Sequence, residues 1–106
     1  MMETLQFRHT ASRRLAGVRP QALVGVVASG NLEALFERAL ADTECEIQVI
    51  TSIGGYREVW SAVIADFVER YSPGGVRISI HDGGARPDTV ALRLAQGARQ
   101  MEREHA

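Results

Sequence analysis

Lysine is absent from this chain of 106 residues, and every one of its 12 basic side chains is arginine. With no lysine, no Gly-Lys-Ser/Thr follows a glycine pair, so a phosphate loop of that type is excluded. Arginine at so many unrelated positions has no common physical cause, and a codon-usage habit accounts for it. Cysteine is nearly absent too. Cys45 stands alone, which excludes an internal disulfide and a cysteine-based metal cage. No apolar run approaches the ~20 residues needed to cross a bilayer. The N-terminal arginines precede no apolar segment long enough for a signal peptide, so the cytoplasm is the expected location. Charge of one sign is also lacking overall. A net charge of -1 and a pI of about 6.3 give no global pull toward nucleic acid or anionic lipid.

What is present is ordinary for a globular protein: 45% hydrophobic and 24% charged residues. One domain spanning 1–106 is expected, with a single core, so a deep catalytic cleft would need a partner chain. Residues 1–20 lack sustained periodicity and hold Arg8, Arg13, Arg14 and Arg19 against Glu3 alone. They read as a largely extended N-terminal arm with one short strand at Thr4–Phe7. The apolar run Ala22–Val27 reads as a strand covered on both faces, and Gly25 within it marks a close approach by another group. Ala28-Ser29-Gly30-Asn31 is turn chemistry. Leu32–Leu40 fits a helix face through Leu32, Leu35, Phe36 and Ala39, and a strand through Leu32, Ala34 and Phe36. Propensity favours the helix, and local signals leave the choice open.

Glu44–Thr51 alternates with Cys45, Ile47, Val49 and Thr51 on one side, the pattern of a half-buried strand. After Gly54-Gly55, Tyr56, Val59, Trp60, Val63, Ile64, Phe67, Val68 and Tyr71 trace one helix stripe over about residues 55–71. Ser72-Pro73-Gly74-Gly75 ends it. Val76–Ile80 alternates again. Thr89–Leu94 reads as a further strand, followed by a short polar C-terminal helix over Ala95–His105, with 96–106 forming a tail. The expected fold class is α+β: a mostly antiparallel sheet with the Trp60 helix packed on one face.

No catalytic constellation emerges. His9, His81 and His105 sit beside no serine or cysteine in a recognisable arrangement. His81-Asp82 is a conceivable ligand pair, but an exposed polar turn after a strand is the commoner role. Cys45 faces inward, where thiols are usually inert. Glu44 and Glu46 read as a solvated face. The glycine pairs at 54–55, 74–75 and 83–84 read as turns, and Trp60 as core packing rather than a base-stacking platform. Ser29 differs, because a hydroxyl at a hairpin tip is accessible to another enzyme. Taken alone, a Ser-Gly pair is most simply a turn.

The segment Leu23-Val24-Gly25-Val26-Val27-Ala28-Ser29-Gly30-Asn31-Leu32-Glu33 resembles the modification-site segment of malonate decarboxylase acyl-carrier (delta) subunits. Similar words follow in order: Val49–Ser52, Gly55–Val63, Val76–Ile80 and Gly84–Leu94. Met2-Glu3-Thr4-Leu5 also resembles the start of these subunits, so the likeness covers roughly the whole domain. The citrate lyase carrier (gamma) subunit is a more distant relative of that family. The resemblance implies that the segment after Ser29 is a strand. It also implies that Ser29, followed by Gly30, carries 2'-(5''-phosphoribosyl)-3'-dephospho-CoA through a phosphodiester. The arm's thiol would bear acetyl, then malonyl, with acetate released in the exchange and acetyl regenerated on decarboxylation. The implied partners are an acetyl-carrier:malonate transferase subunit, the decarboxylase subunits, a holo-carrier-forming phosphoribosyl-dephospho-CoA transferase and a malonyl transacylase. The carrier itself would be non-catalytic, with no metal and no nucleic-acid or membrane partner. The ends of the chain and the 38–44 link depart from the family pattern. The four-helix acyl-carrier domain is excluded, since it needs an Asp-Ser-Leu segment opening a helix. The competing reading is a small regulatory or ligand-binding α+β module without covalent modification.

Overall fold

The computed structural model describes residues 2–103. Five strands form one sheet: β1 (Glu3–Thr10), β2 (Gln21–Gly25), β3 (Leu32–Arg38), β4 (Glu44–Thr51) and β5 (Val76–Asp82). The spatial order is β1-β4-β5-β3-β2, antiparallel at every pairing except β4–β5. That parallel pair requires a crossover, supplied by α1 (Arg57–Tyr71). A second helix, α2 (Pro87–Met101), follows β5.

Period-two alternation places all buried strand residues on one face. Leu5 faces Val49, Val49 faces Ile80, Ile80 faces Ala34, and Ala34 faces Val24. The neighbouring row runs Phe7, Ile47, Ile78, Phe36 and Ala22, and every member of both rows is buried. The helices cover this face, α1 toward β1 and α2 over β3 and β2. Phe36 is fully buried and meets Phe67 of α1 edge-on at 6.4 Å between ring centres. The opposite face carries Gln6, Arg8, Glu46, Gln48, Arg77 and Ser79, none of them buried. The result is a two-layer α+β fold, as expected.

Several local expectations change. The short strand at Thr4–Phe7 is an eight-residue edge strand, because its alternation matches that of β4 residue for residue. β2 ends at Gly25, and Val26 and Val27 are about half exposed rather than covered. Only Ala22 and Val24 of that run are buried, since β2 is an edge strand with helices on one side. Leu32–Arg38 is a strand against its helix propensity, because Phe36 completes a cross-sheet row with Ile78 and Ala22.

Thr89–Leu94 is not a strand. It belongs to α2, which is as long as α1 at 15 residues. Val90, Leu94, Ala98 and Met101 form its buried stripe, while Leu92 is 58% exposed. Pro87 opens the helix, where its missing N–H leaves nothing unsatisfied. Of the expected tail helix, His105 lies outside the described residues.

The link between β1 and β2 is tied down rather than solvated. Ala11 and Leu15 are buried, and the Ser72 hydroxyl donates to the Arg13 carbonyl at 3.0 Å while accepting from the Arg13 N–H at 2.9 Å. Arg38 donates to the carbonyls of Arg19 (2.7 Å), Leu15 (2.6 Å), Ala16 (2.7 Å) and Met101 (3.0 Å). Burial and the nearby Arg14 charge hold its pKa below the ordinary arginine value. Arg38→Ala leaves those carbonyls without their charged donor and is expected to lower stability by about 2 kcal/mol. Urea unfolding measures it, and an unchanged midpoint would show the link to be held by Leu15 packing alone.

Candidate functional site

Ser29 sits in the connection between β2 and β3. The Asn31 N–H donates to the Ala28 carbonyl at 3.0 Å, closing a four-residue turn with Ser29 and Gly30 at its centre. Gly30 has φ 75°, the conformation a type II turn requires at its third position, and a Cβ there would meet open space. Ser29 is exposed. The residues that would hold a bulky substituent therefore fit it: the hydroxyl is exposed at a bend, beside a glycine whose Cβ position opens on empty space.

The turn is braced from one side by the loop after β5. The Gly30 N–H donates to the Gly83 carbonyl at 3.1 Å, and the Gly83 N–H donates to the Asn31 carbonyl at 2.8 Å. A side chain at Gly83 would overlap the Ala28 carbonyl oxygen, so the two loops meet backbone to backbone. Asp82 holds that loop in place. Its carboxylate accepts from the Thr51 hydroxyl at 2.7 Å and from the N–H groups of Gly84 (3.0 Å) and Ala85 (2.9 Å). Both Thr51 and Asp82 are buried.

The expected exposed turn at His81-Asp82 is instead the end of β5, where His81 is exposed and Asp82 is buried. Asp82 continues the inward parity of Val76, Ile78 and Ile80, and that parity was the available signal. Asn31 has two further contacts. Its side-chain oxygen accepts from its own neighbour, the Leu32 N–H, at 2.8 Å and from Arg93 Nε of α2 at 3.2 Å. Arg93 Nη1 in turn donates to Gln96 Oε1 at 3.1 Å. Sequence reasoning passed over Arg93 because it stands in the segment read as a strand.

Other singled-out residues lie elsewhere. Arg8 is on the far edge strand, four strand spacings from β2, or about 19 Å at ~4.8 Å per spacing. It pairs with Glu46 at 2.9 Å. Arg14 donates to the carbonyls of Leu15 and Gly17. His9 lies directly opposite Cys45 across β1 and β4. Burial, and secondarily the Glu46 carboxylate, push the Cys45 thiol up to about 12, so it is no activated nucleophile.

The shift has a consequence for stability. A raised folded-state pKa stabilises below the unfolded thiol pKa of about 8.5, and the contribution is lost as pH rises toward 12. Raising pH from 7.5 to 10 is expected to lower stability by about 2 kcal/mol more in the native sequence than in Cys45→Ala. Urea midpoints at the two pH values test this, and equal losses in both proteins would contradict it.

An apolar cleft of about 270 Å³ opens between the start of α1 and the β5–α2 loop, lined by Ile53, Tyr56, Val59, Trp60, Pro87 and Val90 among others. It explains why Tyr56 and Val59, expected on the buried stripe, are 54% and 41% exposed. Among the described residues, no group of three His, Cys, Asp or Glu side chains is placed to hold a metal ion. No helix among them is long and apolar enough to cross a membrane.

Comparison with known proteins gives consistent matches. A family model described as malonate decarboxylase delta subunit (MdcD) matches residues 19–101. The malonate decarboxylase acyl carrier protein of Bradyrhizobium diazoefficiens is 62% identical over 94% of this chain and 95% of its own. That of Burkholderia cepacia is 46% identical over 94% of this chain and 91% of its own. A chain in a crystal structure of a Pseudomonas malonate decarboxylase hetero-tetramer in complex with malonate superposes with a TM-score of 0.82. It is 38% identical, over 93% of this chain and 98% of that one.

Proposed function

Because the chain belongs to the malonate decarboxylase delta-subunit family, we propose that it is the complex's non-catalytic acyl carrier, loaded covalently on Ser29. The observation that carries this is the placement of Ser29: an exposed hydroxyl at a braced turn, beside a glycine with open space around it. Esterification needs that placement, since the hydroxyl must enter another protein's active site. There its oxygen forms a bond to an activated phosphoryl group, its proton goes to a base of that enzyme, and the donor's leaving group departs with the electron pair.

The group proposed is 2'-(5''-phosphoribosyl)-3'-dephospho-CoA, joined through a phosphodiester. When bound, it supplies a thiol that holds acetyl or malonyl as a thioester and presents it to the transferase and decarboxylase subunits. The chain's own contribution is mechanical. The Asp82-braced loop fixes the base of the arm, and the absence of crowding at Gly30 leaves the arm free to swing. A tethered acyl group reaches an effective concentration on the order of mM at each neighbouring site. The loading enzyme is a phosphoribosyl-dephospho-CoA transferase, and a malonyl transacylase is a further partner. The cytoplasm is the proposed location.

The test is an intact-mass measurement after co-expression with the matching transferase, followed by peptide mapping of residues 22–38. One mass gain of the arm's size, confined to that peptide, is expected, and no gain would overturn the reading. The cleft beside Trp60 favours a second reading, a non-covalent ligand module. That reading requires a saturable small ligand that perturbs Trp60 fluorescence in the unmodified chain.

A further inference from the structure

We infer that Arg93 is the binding residue for the phosphodiester at Ser29, the cation that anchors the base of the arm. The inference rests on Ser29 being the loaded residue. A phosphodiester brings one negative charge to the turn, and residues 20–32 contain no charged side chain of either sign. A counter-charge for it is therefore supplied only from elsewhere in the fold. Two arginines of the N-terminal segment are engaged elsewhere: Arg8 is paired with Glu46 on the opposite side of the sheet, and Arg14 is turned to its own neighbours' carbonyls.

Arg93 reaches the turn directly. Its Nε donates to the Asn31 side chain, and Asn31 closes the turn on Ala28. One residue, Gly30, separates Asn31 from Ser29, and two peptide links set a Cα distance of at most ~7.6 Å. The guanidinium is held at Nε by Asn31 and at Nη1 by Gln96, which fixes its plane and leaves Nη2 without a hydrogen bond among the described residues. No carboxylate pairs with it among the described residues. Glu33, the acidic residue nearest Ser29 in sequence, alternates to the open face of the sheet, because Leu32 and Ala34 point toward α2. A planar fork of donors with its orientation already set matches the two non-bridging oxygens of a phosphodiester.

The test compares unmodified and loaded chain labelled with ¹⁵N. Loading is expected to shift the Arg93 Nε–H resonance while that of Arg99, exposed on the same helix, stays in place. In the loaded protein, Arg93→Gln should move the ³¹P resonance of the phosphodiester, and Arg93→Lys should restore it in part. The KM of the transferase for the carrier should rise on the order of tenfold in Arg93→Gln, with kcat little changed. Should Arg93→Gln fail to fold, the native-sequence spectra decide alone. A silent Arg93 resonance in a fully loaded chain overturns this inference and leaves Ser29 as the attachment point. A chain that never gains mass overturns both.

Discussion

Ser29→Ala is expected to abolish the covalent mass gain completely while leaving stability within about 0.5 kcal/mol of the native sequence. The two halves of this expectation come from one fact. The Ser29 side chain is exposed and makes no hydrogen bond among the described residues, so removing its oxygen deletes the proposed attachment point and no structural contact. One other serine is a poor substitute. Ser72 is buried, and its hydroxyl is engaged with Ser12 and the Arg13 backbone. Intact mass after co-expression with the transferase reads the first half, and urea unfolding reads the second. A mass gain that persists in Ser29→Ala would place the attachment elsewhere.

Gly97→Val is expected to produce the largest loss of stability of the changes considered, about 3 kcal/mol or more. Gly97 is the point where α2 crosses β3. A Cβ there would overlap Cε1, Cζ and Cδ1 of the Phe36 ring. The ring cannot retreat, since Phe36 is fully buried, paired with Ile78 and Ala22 and in edge contact with Phe67. The gain in helix propensity over glycine, under about 1 kcal/mol, is too small to offset that overlap. If the cause is the ring, Phe36→Leu should recover part of the loss when combined with Gly97→Val, a coupling that a double-mutant cycle measures. Independent, additive losses would point instead to a general weakening of α2.

How legible was this in the residues? β4, α1 and β5 could be read because each carries an unbroken period over enough residues to exclude the other period. The turn at Ala28–Asn31 was legible from residue types that tolerate it. Gly25 was read as a close approach, and a Cβ there would indeed overlap the Leu32 carbonyl oxygen. The stretch 87–101 failed for a definite reason. Val90, Leu92 and Leu94 alternate as a strand does, whereas Val90, Leu94, Ala98 and Met101 repeat as a helix does, and the strand pattern was given priority. The helix wins because the longer pattern buries four side chains and the shorter one leaves Leu92 in solvent.

The residues alone determined β4, α1 and β5, the alternation that gives each of those strands one apolar side, and the position of a hydroxyl at a bend. These depend on period and turn chemistry, which act within a few neighbouring residues. Tertiary structure decided what joins across long separations. It made Leu32–Arg38 a strand by matching Phe36 to Ile78, carried Asp82 inward to hold the loop that braces Ser29, and brought Arg93 to Asn31 from 62 positions away. A local pattern states which side of an element is apolar. Only packing states which element lies against it, and the surroundings of Ser29 are made almost entirely of such encounters.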